Sequence, residues 1–372
     1  MKSILINQPR SSYYVGGAEM VSLQHARYFQ QLGYDVTFIT VSPLSAGQTY
    51  SDQYNNFKNR FGNLVNIIEI AQQNEALPCY DVEPGESRDR WNVESIYYNR
   101  SLFEYLIQSG LSYDACISYY KLDALVVPKH LIGNNLLYLC GVPKESNEFM
   151  SCFLSAYDTI LAITSDVKKY WQEYTKKNIQ IVETGVEIDR FLPNTKKGVA
   201  TRVLYVGRLI ERKGLDTLVD ALSLMPAPAQ AKVQVQIVGS GPMLYLLKEK
   251  ILSNGLSKVI SLEGESSTPE KFFGSADICV FPSRGGEGLQ GVVLEAMSSG
   301  CYVIASDTEI NRGLLQGGRG SILEKKSAEE LSHELLRIME DEDLVEAGSM
   351  ARDYVVANYS WQTVIKKLEK YI

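Results

Sequence analysis

The feature that most constrains the fold is an alternation of short apolar runs with helical patterns along most of the chain. Ser3–Asn7 and Val36–Val41 are rich in β-branched residues and are predicted strands, whereas Ala18–Leu32 between them carries apolar residues at the helical period. Ser327–Glu330 is a capping-box signature that opens a further helix near the end of the chain. Strands that alternate with helices predict βαβ units and a mainly parallel sheet covered on both faces.

The 372 residues exceed the roughly 250–300 at which a single hydrophobic core stops growing, so two domains are expected. Residues 75–92 are acidic, contain Pro and Gly, and predict a long surface loop. Polar, turn-forming residues at Phe191–Gly198 predict a linker between domain 1–192 and domain 199–359. Further strands are predicted at 115–118, 135–139, 159–163 and 180–182 before the linker, and at 203–206, 233–238, 260–262, 278–281 and 302–305 after it.

Composition excludes several classes of protein. Lys and Arg number 37 against 44 Asp and Glu, and this net charge of −7 does not favour general binding to nucleic acid or anionic lipid. No apolar run reaches the roughly 18 residues of a membrane helix, and the apolar N-terminal stretch is too short for a signal peptide. Six cysteines without a CxxC pair indicate reduced thiols rather than a zinc site, so a cytoplasmic location is expected.

The most unusual segment runs from Phe281 to Met297. Proline and paired glycines after an apolar strand predict a loop at its carboxyl end, where open α/β sheets bind ligands. Gly291–Ser298 predicts a helix whose first backbone N–H groups could hold an anion or a sugar hydroxyl. Glu295 stands within an apolar run, so it is either a solvated position or a carboxylate that accepts hydrogen bonds from ligand hydroxyls. The same two interpretations apply to Glu287.

A second segment places cations at the start of a helix. A predicted strand ends at Gly207, and Arg208 and Lys213 follow within six residues. Cations beside a helix N-terminus oppose its macrodipole unless an anion lies between them. A diphosphate would resolve that conflict, and the alternative is a solvated basic loop. There is no Walker A pattern, no Gly-x-Ser-x-Gly and no Asp-x-Asp at a strand end, so no divalent-metal site is predicted.

Two glycine pairs are weaker signals. Gly16 and Gly17 follow the first strand and would allow close approach of the backbone to a ligand. Gly239 and Gly241 also follow a strand, but the third glycine of a dinucleotide-binding fingerprint is missing. His25 lies on the apolar face of the first helix, which favours a core position over a catalytic one.

Taken together, these segments resemble the retaining nucleotide-sugar transferases of glycosyltransferase family 4. The resemblance covers essentially the whole chain and implies the GT-B fold: two Rossmann-like α/β domains facing a central cleft, with a C-terminal helix, residues 360–372, crossing back to the first domain. The residues that carry it are Gly16-Gly-Ala-Glu-Met20, Tyr205–Gly214, Val238–Pro242, Pro282-Ser283, Glu287, Glu295-Ala-Met297 and the segment from Met297 to Ser306.

The resemblance also implies roles for single residues. Arg208 and Lys213 would hold the donor diphosphate and stabilise the departing nucleotide, in place of a metal ion. Glu287 would hydrogen-bond hydroxyls of the donor sugar. The remaining implied donor contacts are Gly16 and Gly17 from the first domain, the backbone of Gly288, Leu289 and Gln290, and Glu295 at the ribose hydroxyls.

The implied activity is metal-independent, retaining transfer of a sugar from a nucleoside diphosphate to a hydroxyl of a glycan, lipid or small molecule. The nucleotide sugar is a co-substrate, with UDP favoured and GDP or ADP as alternatives, and no cofactor or nucleic acid is expected. A lipid acceptor would bring peripheral membrane contact. The usual histidine of the first domain is Cys140 here, which keeps open a non-catalytic nucleotide-sugar-binding partner subunit. A sugar-nucleotide epimerase is a third alternative, distinguished by its product.

Overall fold

The computed structural model divides the chain into two compact units. The first contains Met1–Glu183 together with Val364–Ile372, and the second contains Thr184–Thr363. The structure describes residues 1–12, 16–42, 55, 57–59, 62, 66–70, 88–119, 127–142, 149–193, 200–285, 291–340 and 344–372.

In the first unit the described residues form a seven-stranded parallel sheet in the order β3-β2-β1-β4-β5-β6-β7. Its strands are β1 (Ser3–Asn7), β2 (Asp35–Val41), β3 (Asn66–Ile70), β4 (Tyr113–Ser118), β5 (Ile132–Leu139), β6 (Thr159–Ala162) and β7 (Gln180–Ile181). Its helices are α1 (Gly17–Gln31), α2 (Arg88–Ser109), α3 (Met150–Ser155) and α4 (Ser165–Gln172).

In the second unit the described residues form a six-stranded parallel sheet in the order β10-β9-β8-β11-β12-β13. Its strands are β8 (Thr201–Val206), β9 (Val233–Val238), β10 (Ile260–Gly264), β11 (Ile278–Phe281), β12 (Tyr302–Ser306) and β13 (Gly320–Leu323). The helices are α5 (Leu215–Leu224), α6 (Ala227–Gln230), α7 (Leu244–Ser253), α8 (Glu270–Phe273), α9 (Gly291–Ser298), α10 (Glu309–Leu315), α11 (Ala328–Met339), α12 (Leu344–Tyr359) and α13 (Trp361–Leu368), the last of which passes into the first unit at Val364.

Each sheet has a point at which the strand order reverses. In the first sheet this point lies between β1 and β4, where Ile4 pairs with Ala115. In the second it lies between β8 and β11, where Leu204 pairs with Cys279. Crevices outside the carboxyl ends of strands at such reversals are where open α/β sheets bind ligands. The residues that follow β1, β4, β8 and β11 are therefore the candidates for ligand binding.

The predicted parallel α/β fold is confirmed, and the differences lie at sheet edges and in one loop. The strands β3 and β13 were not predicted, because both are edge strands with half-buried residues and no continuous apolar run. The prediction of a loop over residues 75–92 is wrong from Arg88 onward, where α2 begins, and residues 75–87 lie outside the described part of the chain.

The boundary between the units also differs from the predicted one. Residues 184–193 belong to the second unit, although the break in pattern at Phe191–Gly198 placed the boundary after residue 192. The side chain of Phe191 is buried in the second unit, and its carbonyl accepts hydrogen bonds from Ser298 Oγ and from Arg352 Nη1, each at 2.9 Å. These contacts make the polar segment part of a packed domain before the turn-forming residues begin.

The last residues of the chain pack on the first unit. Residues Val364–Ile372 belong to the first unit and form hydrogen bonds at the amino ends of β1, β2 and β5. The hydrogen bonds are Lys2 Nζ to Ile372 O at 3.0 Å, Asn134 Nδ2 to Tyr371 O at 2.7 Å, and Tyr34 OH to Glu369 Oε1 at 2.8 Å. Among the helices that the structure describes, none is long and apolar enough to cross a membrane.

Candidate functional site

Three loops converge at the carboxyl edge of the second sheet. Gly207–Gly214 follows β8, Gly239–Met243 follows β9, and Pro282–Gly285 follows β11. The strands β8 and β11 are neighbours at the reversal of strand order, so their loops flank the crevice expected there. The predicted diphosphate ligands Arg208 and Lys213 both lie on the first of these loops.

The loops after β8 and β9 approach each other more closely than side chains would allow. Gly239 has φ +147°, and a Cβ there would lie 1.9 Å from the carbonyl oxygen of Gly207. Gly241 has φ +151°, and its Cβ would lie 2.5 Å from the oxygen of Leu209. The backbone N–H of Leu209 donates to Ser240 O at 2.8 Å. The two glycines therefore serve packing of loop against loop, which the spacing of the motif alone could not indicate.

The backbone carbonyl of Arg208 is fixed by a buried tyrosine, whereas the side chain of Arg208 is exposed. The hydroxyl of Tyr205 donates to the carbonyl of Arg208 at 3.0 Å, and Tyr205 itself is buried. In the sequence, Tyr205 is a predicted strand residue at the start of the Tyr205–Gly214 motif, and no role of its own was predicted for it. A tyrosine within the apolar run Val203–Val206 was the available signal, because a buried hydroxyl needs a partner.

Lys213 ends a one-turn 3₁₀ helix, Glu211–Lys213, and is half-buried. Gly214 follows with φ +67°, the left-handed region that glycine favours, and begins α5 as its N-cap. The cation thus lies directly before a helix N-terminus, as the sequence predicts. The helix dipole there favours an anion, which is what a diphosphate would supply.

The loop after β11 packs on the turn that carries Lys213. A Cβ on Gly214 would lie 2.1 Å from the carbonyl oxygen of Pro282, and the N–H of Arg284 donates to Arg212 O at 2.8 Å. The guanidinium of Arg284 forms an ion pair with Asp216 in the first turn of α5. Sequence reasoning did not find this pair, whose members are 68 positions apart.

The predicted sugar-binding residues follow this loop. Glu287, Gly288, Leu289 and Gln290 lie outside the described residues. The helix α9 begins at Gly291, as predicted, and Glu295 lies within it with a half-buried side chain between buried neighbours Leu294 and Ala296. This placement separates Glu295 from the helix face that enters the core, and its contact with ribose hydroxyls stays a prediction.

In the first unit, the glycine pair opens α1. Gly16 is the N-cap with an extended backbone, φ −101° and ψ −176°, and its carbonyl accepts from Met20 N at 3.1 Å. Gly17 is exposed, and a Cβ there would meet no atom of the described residues within 4 Å. The local fold therefore does not require glycine at 17, and the open space is compatible with close approach of a ligand.

The position of the family histidine holds a neutral thiol. Cys140 follows β5, and its Sγ lies 3.9 Å from the carbonyl of Tyr138. Burial raises the pKa of the Cys140 thiol, and the charge on Glu19 raises it further. The thiol is thus a weak hydrogen-bond donor and not an acid–base group near neutral pH.

His25 lies in the core, as predicted. It is fully buried, and its Nδ1 is 2.7 Å from the hydroxyl of Tyr119. Desolvation lowers the pKa of His25 to about 3, so the imidazole is neutral. Within the described part of the chain, no group of three His, Cys, Asp or Glu side chains is placed to hold a metal ion.

Comparison with solved structures shows the fold. A glycosyltransferase from Rickettsia africae superposes with a TM-score of 0.75 at 19% identity, covering 100% of this chain and 97% of that one. Anabaena HepE in complex with UDP-glucose gives 0.74 at 16% identity, covering 100% and 99%. The fold is that of the GT-B glycosyltransferases.

Sequence comparison gives matches to glycosyltransferases over about half of the chain. Residues 189–370, about half of the chain, match the model described as glycosyl transferases group 1. An uncharacterized glycosyltransferase of Methanocaldococcus jannaschii is 27% identical over 226 residues, 57% of each chain. A GDP-mannose-dependent phosphatidylinositol monomannoside mannosyltransferase of Mycobacterium tuberculosis is 27% identical over 238 residues, 56% of this chain and 62% of that one. The chain thus matches about three-fifths of the length of these relatives.

Proposed function

We propose that the protein is a retaining, metal-independent glycosyltransferase that moves a sugar from a nucleoside diphosphate to a hydroxyl acceptor. The observation that carries the proposal is the position of Arg208 and Lys213. Both lie on the loop at the reversal of strand order, directly before the N-terminus of α5, in a chain whose second half matches the glycosyl transferases group 1. A diphosphate bound there would meet two cations and a helix dipole together.

In the proposed reaction, the bond between the anomeric carbon and the diphosphate breaks while the acceptor oxygen bonds to the same face of that carbon. The departing phosphate takes the acceptor proton, and Arg208 and Lys213 stabilise the charge that grows on it. Glu287 and Glu295 are assigned to the sugar and ribose hydroxyls, and Gly16 and Gly17 to further contacts with the donor.

The donor is proposed to be a UDP-sugar, with GDP- and ADP-sugars as alternatives. The printed name of the mycobacterial relative includes GDP-mannose dependence, which supports including GDP-mannose in the test. The acceptor is a hydroxyl of a glycan, lipid or small molecule.

Donor hydrolysis without acceptor tests the proposal most directly. Purified protein is incubated with UDP-, GDP- and ADP-sugars, and the release of nucleoside diphosphate and the anomeric configuration of the sugar are followed by NMR. Release from one donor with retention supports the proposal, and Lys213→Ala should abolish most of it. Inversion of configuration would contradict the retaining mechanism, and no release from any donor would contradict catalysis.

Metal independence has its own test. The cation pair is assigned the electrostatic work that a divalent ion does elsewhere, so chelation by EDTA should leave turnover within about twofold. The control is a parallel reaction with added Mg²⁺ or Mn²⁺. Loss of activity on chelation that either metal restores would overturn this part of the proposal.

A second candidate is a non-catalytic subunit that binds the nucleotide sugar. The observation in its favour is Cys140, whose half-buried, protonated thiol cannot act as the family's histidine does. Binding of a nucleoside diphosphate by calorimetry without hydrolysis or transfer would support this candidate. Replacement by histidine, Cys140→His, that confers turnover would show that the cysteine is what removed it.

A further inference from the structure

We propose that Arg284 and Asp216 are positioning residues of the donor site, a role that rests on the proposed function. Their ion pair connects the loop after β11 with the first turn of α5. Neither residue is assigned a contact with the ligand. The pair acts on Lys213, which lies on the turn directly before α5.

The two loops touch through three kinds of contact. The N–H of Arg284 donates to Arg212 O at 2.8 Å, and Gly214 packs against the carbonyl of Pro282. The third contact is between side chains, where the Arg284 guanidinium meets the Asp216 carboxylate and lies 3.5 Å from Thr217 Oγ1. Because Arg212 and Gly214 flank Lys213, these contacts set where the lysine stands relative to the loop after β11.

The side-chain contact is the one that constrains direction. The backbone contact is made by Arg284, and Gly285 follows with φ +140°, a conformation that favours glycine and leaves the chain without a side chain to hold it. An arginine–carboxylate pair fixes orientation through its planar, forked donors. The pair therefore fixes the direction of the loop after β11 relative to the first turn of α5.

Partial exposure limits what this pair contributes to folding. The Arg284 and Asp216 side chains are 41% and 21% exposed, and ion pairs of this kind contribute little to global stability. A positioning role thus predicts loss of ligand affinity without a matching loss of thermal stability. A merely structural role predicts the reverse.

A matched control lies at the opposite edge of the same two strands. Arg202 in β8 pairs with Asp277 just before β11, with an Nη2 to Oδ1 distance of 3.2 Å and exposures of 23% and 26%. This pair also joins the segments of β8 and β11, but at their amino ends, away from the carboxyl edge. Arg202→Ala therefore removes a similar pair without touching the proposed site.

The test measures calorimetric affinity for UDP, GDP and ADP, together with the unfolding midpoint, in the full chain. For the nucleotide that the unchanged protein binds, Arg284→Ala and Asp216→Asn should each weaken binding about tenfold. This is the low end of the effect of removing residues that orient metal ligands, which are positioning residues of the same kind. The double variant should bind the nucleotide no more weakly than either single variant, because each single substitution already breaks the ion pair. Arg202→Ala should bind as the unchanged protein does, and Arg284→Lys should fall between the two extremes.

The outcomes separate this inference from the proposed function. No binding of UDP, GDP or ADP to the unchanged protein would overturn both. Normal binding by the unchanged protein and equal binding by Arg284→Ala would overturn the inference alone. Weakened binding in Arg284→Ala with normal binding in Asp216→Asn would also overturn it, since Arg284 would then contact the ligand directly.

Discussion

Two glycines of this chain that look alike in sequence serve different physical ends. A Cβ on Gly17 would meet open space, whereas a Cβ on Gly239 would overlap the carbonyl of Gly207. Glycine at 239 is required by the fold, and glycine at 17 is not. The open space at Gly17 leaves room for the ligand contact proposed for it, whereas Gly239 is explained by packing alone.

Buried histidine gives the first prediction at the scale of single residues. The pKa of His25 is about 3 in the folded chain and 6.5 ordinarily. Between these two pH values the imidazole is protonated in the unfolded chain and neutral in the folded chain. Stability from the neutral imidazole is full above pH 6.5 and is lost as pH falls toward 3. Between pH 6 and 4 the loss should be about 1.4 kcal/mol per pH unit.

The free energy of unfolding of His25→Gln, measured with urea across this pH range, should fall less steeply with decreasing pH, by about 1.4 kcal/mol per pH unit. Exposed His333→Gln is the matched control and should keep the slope of the unchanged protein. If His25→Gln and His333→Gln gave the same pH dependence, the buried imidazole would not be the group that resists protonation.

Lys213 gives the second prediction at this scale. Loss of a preorganised group at the leaving diphosphate should lower turnover by about 10²–10³-fold in Lys213→Ala. The unfolding midpoint should move little, because the side chain is only half-buried. Turnover is compared with Lys248→Ala, a variant of an exposed lysine on α7. Full turnover by folded Lys213→Ala would remove this lysine from the mechanism.

At the scale of elements, strands with continuous apolar runs and helices with caps could be predicted from sequence. Ser327 caps α11 by accepting from Glu330 N at 3.2 Å, as the capping-box signature indicates. The other half of the box differs, since the Glu330 carboxylate accepts backbone N–H groups of the preceding turn, at Lys325 and Lys326. Local patterns fix which residues start a helix but not which of several nearby donors a flexible carboxylate reaches.

The candidate site shows the same limit. Arg208 and Lys213 could be placed at a strand end and a helix start because both signals are local. The Arg284–Asp216 pair and the approach of Gly239 to Gly207 could not, because they depend on how separate βαβ units stack side by side. To predict a contact between loops of different βαβ segments, the order of the strands in the sheet must be known. The sequence pattern alone does not determine that order.

Loop packing supplies the prediction at the scale of elements. Gly239→Ala should destabilise the protein by more than about 2 kcal/mol, because the Cβ would overlap Gly207 O and the φ of +147° is nearly confined to glycine. The control is Gly255→Ala, with φ +68° and open space around its Cβ, which should cost about 1–2 kcal/mol. Denaturant midpoints compare the two. Equal losses would show that backbone conformation alone, without the overlap, accounts for the glycine.

At the scale of the whole molecule, the chain builds its first unit from both of its ends. Lys2 and Ile372 are 370 positions apart and share a hydrogen bond, and the second unit forms from the residues between Thr184 and Thr363. The first unit therefore needs residues 364–372, which follow the second unit along the chain. Such non-local contacts are slow to form because loop closure must precede them.

Removal of Glu369–Ile372 tests this dependence. The truncation deletes the three hydrogen bonds that these residues share with Lys2, Tyr34 and Asn134. At about 1 kcal/mol for each net hydrogen bond, the first unit should lose roughly 2–3 kcal/mol of stability. Native-state hydrogen exchange should report the loss as faster exchange in β1 and β5, while β8, β9 and β11 keep their protection.

The matched control is Lys370→Ala, an exposed position in the same terminal segment, which should leave exchange unchanged throughout. Because the second unit contains its whole core between Thr184 and Thr363, protection lost equally in both sheets would contradict the division into two units. Protection lost in neither sheet would show that α13, and not the terminal hydrogen bonds, holds the end of the chain to the first unit. In that case Leu368, fully buried as the last residue of α13, is the anchor that the next truncation should remove.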